Sequence, residues 1–262
     1  MTIVIVGLLV ISLMAWQIFI KTNDKIEAKE VFKSSSLYQT LFSEKNMMVE
    51  YESEFLAYYH FPKVKNAFGN ADVTKVHYFS KEEFHQIILS TVPEELRPKL
   101  SSYLSFVLKT AQKYQVDPFW LLAVMWTESH FENMSVSTRS AVGLMQILPQ
   151  TGHFIAQNVL KKEVGHKEIK NYIREPYVNI ELGAIYLKKL LKRFNNNYRL
   201  ATVAYNMGPS RVLSRLNSGH SVGFRNEYMN KVKSSYEKIS LNFISAIKVR
   251  NVYIDSIYVA SN

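Results

Sequence analysis

The chain contains no cysteine. That excludes disulfides, a cysteine nucleophile, thiolate metal sites and a lipid-modified N-terminal cysteine. Histidine is sparse. The seven present are dispersed, with no ligand spacing, so neither a metal nor another cofactor is expected. No internal repeat and no low-complexity tract is present. Acids are the minority charge: 22 Asp and Glu stand against 32 Lys and Arg, a formal charge of +10. Such a balance suits an anionic partner. The basic residues are scattered and mostly accompanied by acids, as in Lys81-Glu82-Glu83 and Lys161-Lys162-Glu163. With no nucleic-acid motif among them, they read as a solvated surface, and nucleic acid is not an expected partner.

Charge is also missing from residues 1–20, which are dominated by Ile, Val, Leu, Met, Trp and Phe. As a helix this segment is long enough to cross the ~30 Å hydrocarbon core of a bilayer. It lacks the basic leader and small-residue cleavage site of a signal peptide, so an uncleaved transmembrane anchor is expected rather than a cleaved signal. Lys21, Lys25, Lys29 and Lys33 follow it and by the positive-inside rule point to the cytoplasm.

What the chain does have is enough apolar material for one sizeable core or a domain with an appendage: 262 residues, 47% hydrophobic and 13% aromatic. Residues 21–36 are polar and read as a stalk. Residues 37–98 hold short helical pieces and breaks, with a further helix over 82–89. From Leu100 the pattern is regular. Leu104, Val107, Leu108, Ala111 and Tyr114 recur at three- and four-residue steps. Ile180, Ala184, Leu187, Leu191 and Phe194 mark a second amphipathic helix, closed by Asn195-Asn196-Asn197. Residues 200–205 form a short apolar helix, stopped at Gly208-Pro209. Residues 228–239 form another. Val252-Tyr253-Ile254 and Ile257-Tyr258-Val259 have a strand-like composition. Helices without a convincing set of strands argue for a mainly α fold.

The most telling residue is Glu128. It ends the nearly all-apolar stretch that begins at Phe119. Asp117-Pro118 reads as an N-cap followed by proline at the first helical position. Glu128 then falls about three turns later, near the helix C-terminus. Burial and the negative end of the helix dipole both favour its protonated form. A carboxyl kept protonated near neutral pH is a general acid. An isolated Glu here also reads as a solvated residue at a frayed helix end.

Ordered blocks follow it: Glu128-Ser129-His130-Phe131, Ser137, Ala141-Val142-Gly143-Leu144-Met145-Gln146-Ile147-Leu148-Pro149-Gln150-Thr151, Asn179-Ile180-Glu181-Leu182-Gly183-Ala184-Ile185-Tyr186-Leu187, and Ala204-Tyr205-Asn206-Met207-Gly208. In this order and spacing, over residues 100–236, the chain resembles the soluble lytic transglycosylase (SLT) family of peptidoglycan-cleaving enzymes. Ser135 and Ser140 stand where that family often has Ala and Gly.

The resemblance implies a lysozyme-like domain with a substrate groove, and peptidoglycan glycan strands as the partner. It implies a one-carboxylate site. Glu128 protonates the MurNAc–GlcNAc glycosidic oxygen and then deprotonates the muramoyl 6-hydroxyl, giving a 1,6-anhydro end. A lysozyme-like hydrolase and an inactive wall-binding scaffold are the alternatives. Glu132, Glu175 and Glu181 read as solvated residues. Ser137 is either a partner of Glu128 or a turn residue. Gly143 permits an unusual backbone or a close approach of the sugar. Leu144 and Met145 read as wall and packing, Met145 also as a substrate contact. Gln146 is a sugar ligand. Tyr205 is placed near the acetamido group or Glu128. Asn206 bonds sugar hydroxyls or caps its helix. Tyr186 and Tyr228 are substrate candidates or core. The expected division is an anchor or signal segment over 1–20, a stalk and N-terminal helical region over 21–99, a catalytic domain over 100–240 and a tail over 241–262. Because the wall lies outside the cytoplasm, the substrate outweighs the lysines. The expected placement is the bacterial inner membrane with the catalytic domain on the periplasmic or outer face.

Overall fold

The computed structural model describes residues 67–68 and 79–260, with side chains as far as Val249. The expected membrane segment, the stalk and most of residues 37–98 lie outside the described residues. Among the described residues no helix is long and apolar enough to cross a membrane.

Helix α1 (Lys81–Leu89) opens on a capping box. The Ser80 side chain accepts from the Glu83 N–H, and the Glu83 carboxylate accepts from the Ser80 N–H. After a 3₁₀ turn (Glu94–Leu96), α2 (Arg97–Tyr114) buries Leu100, Leu104, Val107, Leu108 and Ala111 along one face. Gln115 ends it in the left-handed conformation.

Helix α3 (Pro118–Ser129) is the centre of the molecule. Every residue from Pro118 to Trp126 is buried, so the helix has no solvent face until its last turn. It packs against α2 on one side and against α9 (Glu227–Ala260) on the other. Asp117 caps it as the sequence predicts, accepting from the Phe119 and Trp120 N–H groups at 2.9 and 3.2 Å. The same buried carboxylate accepts from the Ala67 N–H and the Tyr236 hydroxyl. One cap therefore ties together α3, α9 and the upstream chain.

The chain then crosses a loop over 132–148, where isolated antiparallel bridges join Val136 to Val142 and Val142 to Ile147. Helices α4 (Pro149–Asn158) and α5 (Ile169–Tyr172) lead to α6 (Pro176–Arg193). Helix α6 packs on α2, α4 and α7 (Tyr198–Met207). The buried Trp120 indole N–H donates to the Thr202 hydroxyl at 2.9 Å, pinning α7 to α3. Gly208 ends α7, and it also opens α8 (Pro209–Asn217). The Gly-Pro pair is thus a stop and a start together, since proline suits the first helical position.

One sequence expectation fails. Residues 252–259 are not strand-like; they lie within α9. Buried Tyr236, Ile239, Phe243 and Ile247 continue at three- and four-residue steps and carry the helix through a β-rich local composition. The mainly α architecture stands.

Candidate active site

Glu128 lies in the last turn of α3, where the helix leaves the core, and is half-buried. Its carboxyl pKa is raised from 4.5 to about 7 because burial strips water from the charged form. The Tyr228 hydroxyl donates to Oε1 at 2.5 Å and opposes the rise by stabilising the anion. Tyr228 is the one described residue that hydrogen-bonds to this carboxyl. No second carboxylate contributes to the shift.

The helix end is fixed from two directions. Ser129 is buried, and its hydroxyl reaches the Leu144 carbonyl at 2.8 Å and the Met125 carbonyl at 3.2 Å. His130 and Phe131 then turn the chain away with positive φ of 51° and 63°. Two successive non-glycine residues in that region cost about 1–2 kcal/mol each. Burying the Phe131 ring against Trp126 offsets this by roughly 1.5–3 kcal/mol.

The loop opposite is built around Asn179, a completely buried side chain on α6. Its Oδ1 accepts from the Met145 N–H at 2.7 Å, and its Nδ2 donates to the Val142 and Ile173 carbonyls at 2.8 and 2.7 Å. Gly143 has φ +79°, and a Cβ there would stand 2.7 Å from the Asn179 amide nitrogen. The close approach is thus to Asn179. Met145 is fully buried, and its side chain fills the space that Gly183 leaves on α6. Its side chain packs within the core. The Met145 carbonyl accepts from the Tyr205 hydroxyl at 2.8 Å. Gln146 has φ 47°, and its amide donates to the Ser135 and Gly143 carbonyls.

Tyr205 on α7 and Tyr228 on α9 lie near the acid, and Tyr186 on α6 lies against Tyr205. Tyr186 and Tyr205 are in ring contact at 5.3 Å. Burial pushes the phenols of Tyr205 and Tyr228 well up, and the nearby Glu128 charge pushes both further. Burial raises Tyr186 as well. All three stay neutral donors across the physiological range. The structure therefore brings Tyr205 and Tyr228 near Glu128, with Tyr186 in contact with Tyr205.

It does not bring Ser137 to the carboxyl. The Ser137 hydroxyl accepts from the Arg139 and Ala141 N–H groups, which is the turn role. Asn206 is exposed one turn past Thr202, and the helix cap is Gly208, so the capping alternative for Asn206 fails. Glu132 is partly exposed and pairs with Lys99 at 3.0 Å. Glu181 is partly buried and held by Lys113 and the Tyr114 hydroxyl, so it is tethered rather than solvated. Neither serves as a second acid. Asn179 and Ser129 lie within the recognised blocks, but only their partners 34 and 15 residues away reveal them as anchors.

Among the described residues no group of three His, Cys, Asp or Glu could hold a metal. Chemically, the arrangement offers one carboxyl poised to give and take a proton near neutral pH, flanked by neutral hydroxyls.

The model of the transglycosylase SLT domain matches residues 105–237, just over half of the chain. Two relatives are membrane-bound lytic murein transglycosylases C. That from Sodalis glossinidius is 30% identical over 176 residues, covering 64% of this chain and 48% of the relative. That from Pectobacterium atrosepticum is 27% identical over 180 residues, covering 57% and 50%. The chain spans about half the length of the curated relatives it matches. Among solved structures, the 70 kDa soluble lytic transglycosylase of Escherichia coli aligns over 55% of this chain and 24% of that one, with 22% identity and a TM-score of 0.45. The lytic transglycosylase Slt of Pseudomonas aeruginosa aligns over 59% and 24%, with 24% identity and a TM-score of 0.41. The mainly helical, lysozyme-like fold is the one the family match supports, and the chain belongs to the transglycosylase SLT domain family.

Proposed function

We propose that the protein is a lytic transglycosylase that cleaves the MurNAc–GlcNAc bond of peptidoglycan, with Glu128 as both acid and base. The observation that carries this reading is a single carboxyl lifted to about 7 with no second carboxylate contributing to the shift. A two-carboxylate retaining site places its acids ~5 Å apart, and such a pair would act on each other. The relatives' names, lytic murein transglycosylase, agree with the reading.

Glu128 enters protonated and gives its proton to the glycosidic oxygen as the C1–O bond breaks. The substrate's own N-acetyl group assists that departure. The carboxylate, now stabilised by the Tyr228 hydroxyl, takes the proton of the muramoyl 6-hydroxyl. That oxygen bonds to C1, and Glu128 ends the cycle protonated. No water is consumed. A pKa near the working pH suits both halves.

Gln146, Tyr205, Tyr186 and Asn206 are the proposed wall of the sugar site. Tyr205 has its hydroxyl on the Met145 carbonyl, and Asn206 is exposed beside it. Residues 1–20 are the proposed membrane anchor, followed by the stalk, the catalytic domain over 100–240 and a tail. The catalytic domain faces the wall from the inner membrane. The word membrane-bound in the relatives' names favours attachment.

Mass spectrometry of products released from purified wall tests the reaction. Anhydro ends, lighter than reducing ends by one water, are expected. Reducing ends alone would assign the hydrolytic route, and no release would contradict an active enzyme. Protease accessibility on intact spheroplasts tests the orientation, with digestion of the catalytic domain expected.

A further inference from the structure

Each end of α3 holds a carboxyl with two tyrosines near it, and the same three helices build both ends. At one end Glu128 accepts from Tyr228 of α9, and its charge acts on Tyr205 of α7. At the other end Asp117, the cap of α3, accepts from Tyr236 of α9 at 2.9 Å, and its charge acts on Tyr198 of α7. Tyr198 and Tyr205 are about two turns apart on α7, and Tyr228 and Tyr236 about two turns apart on α9. Asp117 and Glu128 are separated by ~16 Å of helix. Close-packed helices transmit a displacement along their length, because the interior is too dense to absorb it.

The Asp117 end is closed by two residues from far upstream. The Ala67 N–H donates to Asp117 Oδ2 at 2.8 Å, the same oxygen that takes the Tyr236 hydroxyl. The partly buried Phe68 ring meets Tyr236 edge-on, with ring centres 5.5 Å apart, and Tyr198 at 6.2 Å. Tyr198 in turn stands edge-on to Trp120 of α3 at 4.7 Å. Phe68 therefore packs on α7 and α9 together, while its neighbour bonds the cap of α3. Both residues lie well before residues 105–237, the stretch that matches the SLT domain. At the far end the Tyr228–Glu128 bond is short, 2.5 Å. A bond of this kind weakens steeply with distance and angle, so it is sensitive to a small slip of α9 along α3.

We propose that Ala67 and Phe68 are positioning residues for the Glu128 site: they lock α7 and α9 against the start of α3 and thereby hold Tyr228 at the carboxyl on its other end. The role deepens the proposed function and rests on Glu128 being its acid. The two residues act through Asp117, Tyr198 and Tyr236, and the chain joins the catalytic helices at the pole away from the acid.

The test is the titration of the Glu128 carboxyl by carbon NMR in the full-length protein, which needs no substrate. Phe68→Ala is expected to raise the midpoint by about half a pH unit, because a longer Tyr228 bond stabilises the anion less. Phe68→Tyr, which keeps the ring, is expected to restore the wild-type midpoint. In a Tyr228→Phe background, Phe68→Ala is expected to move nothing, since the bond through which it acts is already gone. Tyr236→Phe loses one hydroxyl and keeps its ring, so it serves as the second variant where Phe68→Ala fails to fold. It is expected to shift the midpoint in the same direction. A latch that only supports the fold lowers the unfolding temperature and leaves the midpoint in place, and that result overturns the proposal. So does a lowered midpoint, which means that water has reached the carboxyl, or a shift of equal size with and without the Tyr228 hydroxyl. Wall lysis by Glu128→Gln is a separate assay. Near-normal lysis there overturns the proposed function, whatever the titration shows.

Discussion

The two ends of helix α3 each carry a carboxyl taken out of water, and they have been given opposite surroundings. Asp117, at the N-terminus, accepts four hydrogen bonds, from Ala67, Phe119, Trp120 and Tyr236. Glu128, at the C-terminus, accepts one, from Tyr228. Burial lifts Asp117 from 3.8 to about 6 and Glu128 from 4.5 to about 7. The helix dipole favours an anion at the first site and disfavours it at the second. Asp117 is thus satisfied as an anion by fixed donors that hold the fold. Glu128 keeps an under-bonded anion that readily recovers a proton. The difference teaches that a shifted carboxyl pKa identifies a reactive group only when its bonding is incomplete.

Exchanging the demands on the two carboxyls gives the largest effects. Glu128→Gln is expected to lower wall-lytic activity at least ~100-fold with the fold intact, read as release of soluble fragments from purified wall. It is also expected to gain stability. A group whose pKa is raised on folding stabilises the fold below its unfolded value and loses that contribution as pH rises through its folded value. Between pH 4.5 and 7 the variant should therefore gain on the wild type, by up to ~3 kcal/mol in denaturant titrations. Asp117→Ala should show the reverse pattern. It removes the cap and strands the buried Tyr236 hydroxyl and Ala67 N–H, costing about 3 kcal/mol or more. Activity per folded molecule should change little.

Asn179→Ala is expected to cost about 2–4 kcal/mol, because the Met145 N–H and the Ile173 carbonyl each lose a bond and the Val142 carbonyl is left with the Ile147 N–H alone. Chemical denaturation measures it. Activity should fall with it, since the Met145 backbone and the Tyr205 hydroxyl bonded to it lose their anchor. Tyr228→Phe should act more gently. Removing the donor disfavours the carboxylate, so the alkaline limb of the pH–rate profile should move to higher pH. Ser137→Ala should have the smallest effect, within about 1 kcal/mol of stability, with the acid limb unchanged. A large activity loss there would show that Ser137 reaches Glu128 during turnover.

Much of this contrast was legible in the sequence. The unbroken apolar run announced α3, and Asp117-Pro118 announced its start. The carboxyl at the end of that run announced a group whose proton affinity burial raises. Helices α2 and α6 followed from apolar periodicity. What could not be read was long-range. Asn179 looks like any polar residue in a first helical turn until its bonds to Val142 and Met145 are seen. Tyr228 is 100 residues from Glu128 in the chain and could not be told from a core tyrosine. The strand reading at 252–259 failed because β-branched and aromatic residues report a half-buried surface, not a backbone shape.

Glu128 is a single, under-bonded carboxyl whose burial and one tyrosine set its proton affinity. The direct measurement is its titration by carbon NMR of selectively labelled glutamate carboxyls, with the Glu128→Gln spectrum assigning the resonance. A midpoint near 7 is expected in the wild type, and a higher one in Tyr228→Phe. A midpoint near 4.5 in the wild type, or a lower one on removing Tyr228, would contradict it.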